Sequence, residues 1–201
     1  MQTSLFRRQW TTVDYVLIVV TAALYAVAII MLANIKLIPS VPIRPANALQ
    51  PVFGMLFGLP GCIGLAFGNM VSDLLTGGAP PHAVAVGFFS NFLGGFIGFL
   101  TVSHPALKTK RSFLQYFVFV VLISSAVVAC AILVNVALGL TPMAIASLFI
   151  PTVFLNQAIS TAILGPILLK LLYPFVKRSG LYRGRPLQEY SYLGPESRIA
   201  Q

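Results

Sequence analysis

From Val13 to Tyr173 the chain is almost continuously apolar, broken only by short clusters of proline, glycine and a few polar residues. Such runs cannot be dissolved in water, and a bilayer core about 30 Å thick needs roughly 20 apolar residues per helical crossing. Composition agrees: 58% of the 201 residues are hydrophobic and 8% are charged, against roughly a quarter charged in an ordinary soluble domain. The length leaves room for about five to seven crossings in one domain. Continuous rather than alternating apolar runs exclude a transmembrane barrel. The first run is too long for the apolar segment of a signal peptide.

The breakers divide the chain into six expected helices. The first runs from Val13 to Leu37 and gives way to the segment Ile38 to Pro45, which its prolines keep extended. Apolar sequence from Ala46 to Thr76 is cut by Gly58-Leu59-Pro60-Gly61 into two halves, each shorter than an ordinary crossing, which predicts a tight helical hairpin. After the loop Gly77 to Pro81 come a fourth helix from Ala83 to Val102, a fifth from Phe113 to Leu138 and a sixth from Met143 to Tyr173. The expected fold is an all-α membrane protein, a compact six-helix bundle over residues 13–176. A segment 1–12 precedes it and a basic tail 177–201 follows, surface-lying or disordered against anionic headgroups, with a docking surface as the alternative.

Lysine and arginine set the direction. Arg7, Arg8, Lys108, Lys110, Arg111, Lys170, Lys177, Arg178, Arg183, Arg185 and Arg198 fall on one side of this arrangement, Lys36 and Arg44 on the other. The positive-inside bias puts the richer side, and with it both termini, in the cytoplasm. The net charge of +9 is read as topology and not as nucleic-acid binding, because the basic residues form no soluble basic face.

Polar residues inside the apolar runs are the candidates for function, since they are costly in lipid unless paired or facing water. Asp73 comes first, with Asn69 one turn earlier on the same helical face. Gly64, Gly68 and Ser72 form a neighbouring small-residue ridge that lets another backbone approach. Arg44, Asn47 and Gln50 open the second helix, His82 opens the fourth and Asn91 lies further along it, Asn135 ends the fifth, and Asn156 with Gln157 occupies the sixth. By direction of travel these groups converge on the outer half of the bundle, with Phe88, Phe89 and Phe92 near enough to supply apolar wall. Arg44 with Asp73 as a structural ion pair, and the amides as interhelical glue, are the competing readings. His104 reads as a helix-end residue. Cys62 and Cys130 lie in apolar sequence without metal-ligand spacing and read as core hydrophobes. No nucleophile-base pair, carboxylate pair, metal set or phosphate loop appears, so neither an enzyme nor a resident metal or cofactor is expected.

Several of these segments resemble the S components of energy-coupling factor (ECF) transporters. The segment Thr21-Ala22-Ala23-Leu24-Tyr25-Ala26 is similar to that family's Ala-x-x-x-Ala motif. Arg44-Pro45-Ala46-Asn47-Ala48 precedes a helix ending Leu56-Phe57-Gly58-Leu59-Pro60-Gly61. The run Gly64 to Leu75 looks like the family's glycine-rich helix closing in Asp-Leu-Leu. The turn departs from the usual Phe-Gly-Pro by one inserted residue, Leu59. The resemblance covers about residues 10–176. It implies a multi-pass subunit of a prokaryotic plasma membrane that binds a vitamin-like micronutrient, of queuosine-precursor or cobalamin type among the candidates. It also implies Ala22 and Ala26 as the contact with a transmembrane T component, and two cytoplasmic ATPases as partners. A stand-alone secondary transporter or channel is the alternative, for which an internal repeat and a titratable path would be expected.

Overall fold

The computed structural model describes residues 9–32, 44–77 and 79–186. Five helices in it are long and apolar enough to cross a membrane. They are α1 (Thr12–Leu32), α2 (Leu49–Thr76, entered through the tight helical turn Pro45–Ala48), α3 (Pro81–Thr101), α4 (Lys110–Ala137) and α5 (Met143–Arg178). No strand occurs among the described residues. The expected segment Ile38 to Ile43, Gly78, and the basic residues Arg7, Arg8, Lys36 and Arg198 lie outside them.

α2 is not a rod. Gly58 sits at φ 61°, ψ −140°, a backbone conformation essentially reserved for glycine, and the chain reverses there. Residues eight apart in a straight helix are about 12 Å apart along the axis, yet a Cβ on Gly61 would collide with the Phe53 carbonyl. Cys62 and the carbonyl of Gln50, twelve residues apart, both lie close to where a Cβ on Gly95 would stand, at 3.4 and 3.1 Å. Pro60 falls in the first turn of the returning arm, where its missing N–H costs nothing. The doubled α2 forms the centre of the protein: 78% of its most apolar stretch is buried, against 22–33% in the other four helices.

Small residues bring the neighbours close. The backbone of Ala22 and the side chain of Thr21 occupy the space that side chains on Gly68 and Gly64 would need, and Gly54 meets the Gly95 carbonyl. Tyr25, Val52, Leu56, Leu65, Tyr116, Val120 and Leu169 are fully buried in this core. α4 contains π-helical turns over Tyr116–Ser124, and the Tyr116 hydroxyl donates to the Thr161 carbonyl of α5 at 2.6 Å.

The start of the expected basic tail is folded. Residues 180–186 return across one end of the bundle, where the amides of Arg183 and Gly184 donate to the Leu56 carbonyl at 2.9 and 3.1 Å. That carbonyl lies beside the break at Gly58, so the segment supplies hydrogen bonds the interrupted helix lacks. Arg183 also pairs with Asp14 at 3.0 Å, and Arg185 donates to the Leu100 carbonyl. Asp14 itself accepts from the backbone and hydroxyl of Thr11 at 2.8 Å each, capping α1. The beginning of α1, the bend of α2 and the end of α3 are thus tied at one face by residues 180–186, which are hydrogen-bonded in place there.

Candidate functional site

The opposite end of the bundle holds a cavity of about 520 Å³. Residues 45–57 rise only about 20 Å, some 10 Å less than the thickness of a bilayer core, and the residues at their start line the cavity. Arg44, Asn47, Gln50, Asn69, Asp73, His82, Asn91 and Asn135 all line it. Asn69 Nδ2 donates to Asp73 Oδ2 at 2.7 Å, and Gly87 of α3 lies close enough that a side chain there would strike the Asn69 amide. Asp73 is half-buried and takes its hydrogen bond from Asn69, not from Arg44.

At the floor, four helices meet through buried polar groups. Gln157 Nε2 of α5 donates to Gln50 Oε1 of α2 at 2.7 Å. Gln50 Nε2 donates to the Tyr25 hydroxyl at 2.9 Å and to Asn91 Oδ1 at 2.7 Å. The Tyr25 hydroxyl donates to Asn91 Oδ1 at 2.6 Å, and Asn91 Nδ2 to the Gly87 carbonyl at 2.7 Å. α1, α2, α3 and α5 each contribute one member. Such a network ties the helices together in an apolar surround, where hydrogen bonds are electrostatically stronger than in water.

Three expectations fall differently. Asn156 does not line the cavity; its Oδ1 accepts from the Arg44 amide at 2.7 Å, while Ser160 donates to the Arg44 carbonyl at 3.1 Å. Asn156 therefore fixes the backbone of Arg44, and the adjacent Gln157 lines the cavity. Ala22 is half-buried and Ala26 buried, and the Ala22 backbone lies against Gly68 of α2. The Ala22 part of the stripe therefore packs within the bundle. Phe88, Phe89 and Phe92 turn away: Phe88 packs edge-on against Phe67, Phe89 is 65% exposed and Phe92 stacks on Phe96. The apolar wall comes from Ile29, Val128, Ile132, Ile145, Phe149 and Val153.

His104 sits at the other end, in the loop after α3, where its Nδ1 accepts from the Ala106 amide at 3.1 Å and its ring meets Tyr173 edge-on. Burial, then Lys108 and Lys177, push its pKa below the usual histidine value. Cys62 is buried, but Cys130 is exposed on α4, which corrects its reading as a core residue. Among the described residues no three His, Cys, Asp or Glu side chains gather as a metal set would require.

The arrangement can hold a small polar molecule between amides, one carboxylate, one guanidinium and an aliphatic wall. No curated protein and no solved structure matches the chain. The pattern of the QueT transporter family matches residues 15–174, a stretch that takes in α2, α3 and α4 whole, most of α1 and α5, and every residue named around the cavity. The chain belongs to the QueT transporter family, S components of ECF-type transporters.

Proposed function

We propose that this chain binds a queuosine precursor from the outer side of a prokaryotic plasma membrane. It then passes the molecule inward in a complex with a T component and two ATPase subunits, which hydrolyse the ATP. The observation that carries the reading is the concentration of polar side chains around one cavity in a bundle that exposes many large apolar side chains. Queuosine precursors are small planar 7-deazaguanine bases, rich in hydrogen-bonding edges. Of the two ligand types the sequence suggested, the family match favours a queuosine precursor over cobalamin.

In this reading the two arms of α2 are separate short crossings, making six in all, and the face tied by Asp14, Arg183 and Leu56 is cytoplasmic. Lys108, Lys110, Arg111, Lys177 and Arg178 then lie inside, in line with the positive-inside bias. Arg44, Asn47, Gln50, Asn69, Asp73, His82, Asn91, Asn135 and Gln157 contact or enclose the substrate. Uptake of a labelled 7-deazaguanine precursor by cells expressing the chain tests the proposal. Accumulation that requires both the chain and a co-expressed, ATPase-competent energising module is expected. Accumulation that survives inactivation of the ATPases would favour the stand-alone transporter, and none above background with an intact module would refute the assignment.

A further inference from the structure

We infer that Asn156 and Ser160 are positioning residues, which hold the main chain of Arg44 so that its guanidinium stands where a ligand in the cavity meets it. The inference rests on the reading of the cavity as a substrate site and adds what places Arg44 there. The chain enters α2 through Pro45, and a residue before proline is confined to extended backbone; Arg44 has φ −102° and ψ 90°. Its amide donates to Asn156 Oδ1 at 2.7 Å, and its carbonyl accepts from the Ser160 hydroxyl at 3.1 Å and from the Asn47 amide at 3.0 Å. Both polar main-chain groups of Arg44 are engaged, and two of the three bonds come from α5. Asn156 and Ser160 stand four residues apart, on one face of that helix, and are 6% and 2% exposed.

Arg44 itself is exposed at the cavity, and among the described residues its side chain makes no hydrogen bond or ion pair. A fork of five donors on a long, rotamer-rich stem is aimed only by the main chain it hangs from. Ordering such a side chain on a ligand costs affinity, and the cost grows when its main chain is loose as well. The same turn of α5 carries Gln157, whose Nε2 holds Gln50 in the buried relay with Tyr25 and Asn91. α5 thus fixes the entry to α2 at two points, Arg44 by its main chain and Gln50 by its side chain. Because the bonds to Arg44 go to main-chain atoms, they do not depend on which side chain stands there, and the two contributions can be separated.

The test is a double-mutant cycle on affinity, with the purified full-length chain in detergent titrated with 7-deazaguanine. Ser160→Ala and Asn156→Leu each remove one bond to the Arg44 main chain, whereas Arg44→Ala removes the guanidinium and leaves both bonds in place. Arg44→Ala is expected to weaken binding about tenfold or more, as loss of a charged hydrogen-bond donor entails. Ser160→Ala or Asn156→Leu alone is expected to weaken it about threefold to tenfold. Added to Arg44→Ala, either is expected to change the affinity by less than about twofold, because the group they place is gone. Affinity losses that persist in full in the Arg44→Ala background show a merely structural role and overturn the inference. Unchanged affinity in both α5 variants, or in Arg44→Ala, also overturns it, and each of these results leaves the substrate site standing. Ser160→Ala completes the cycle even if Asn156→Leu fails to fold. Absence of saturable binding by the unsubstituted chain overturns the inference and the reading of the site together.

Discussion

Replacing Gly58 by alanine attacks the bend of α2. The φ of 61° with ψ −140° costs a residue bearing a Cβ about 1–3 kcal/mol. The new methyl also lands on the Arg183 carbonyl, so residues 180–186 must move off the turn. That movement breaks the Arg183 and Gly184 amide bonds to Leu56, each contributing about 0.5–1.5 kcal/mol. Together the loss is roughly 2–6 kcal/mol. Unfolding in detergent should be measured for Gly58→Ala in the full chain and in a chain ending at residue 179, each against its own parent. Because the shortened parent has already lost the two bonds, the substitution should cost less there by about 1–3 kcal/mol. Equal losses in the two backgrounds, within about 0.5 kcal/mol, would refute the claim that the returning segment closes the turn. No loss in either would refute the bend itself.

Asp73→Asn keeps the size of the side chain and its bond from Asn69 but removes the charge. Ligand affinity is expected to fall by about 1–3 kcal/mol with little change in melting temperature, and a lower melting temperature with unchanged affinity would make Asp73 structural. Gly94→Ala places a methyl on Gln50 Oε1, so titration should show binding weakened by about tenfold or more; unchanged affinity would show that the relay does not shape the site. Cysteine at Ala79 should be labelled only from outside and at Lys108 only from the cytoplasm, and the reverse pattern would invert the proposed topology. His104 titrates below its ordinary value, so the unfolded chain binds more protons as pH drops below about 6.5 and the folded state loses stability there. Melting curves from pH 7 to 5 should show that slope, and His104→Gln should flatten it.

The sequence carried the apolar runs, the break at Gly58 and most of the cavity residues, because an amide or carboxylate in an apolar helix has few tolerable places to go. It could not carry helix roll. Asn156 and Gln157 are adjacent and chemically alike, and the 100° between them on a helix decides which one faces the cavity. Ala22 and Ala26 form a stripe of small residues, but such a stripe states only that some backbone comes close. In this structure the Ala22 backbone lies against Gly68 of the same chain. Phe88, Phe89 and Phe92 failed as cavity wall for the same reason of phase. The fold of residues 180–186 was hidden differently. A polar, basic stretch reads as solvated, and its anchors are main-chain carbonyls at Leu56 and Leu100 that no side-chain pattern announces. Asp14 stands 169 residues before its partner Arg183, a separation at which no spacing rule operates. The π-helical turns of α4 likewise have no signature in the run Tyr116 to Ser124.

The central claim is that the cavity at the Asp73 end is where a small precursor binds, and filling it is the most direct test. Ala83 is half-buried at the start of α3 and lines the cavity, so Ala83→Trp inserts a large ring there without touching the polar network. Calorimetric titration of the purified chain with a 7-deazaguanine precursor should give saturable one-to-one binding. The Ala83→Trp chain should melt close to the parent and show no saturable binding. Parental affinity in the filled chain would place the site elsewhere and contradict the account.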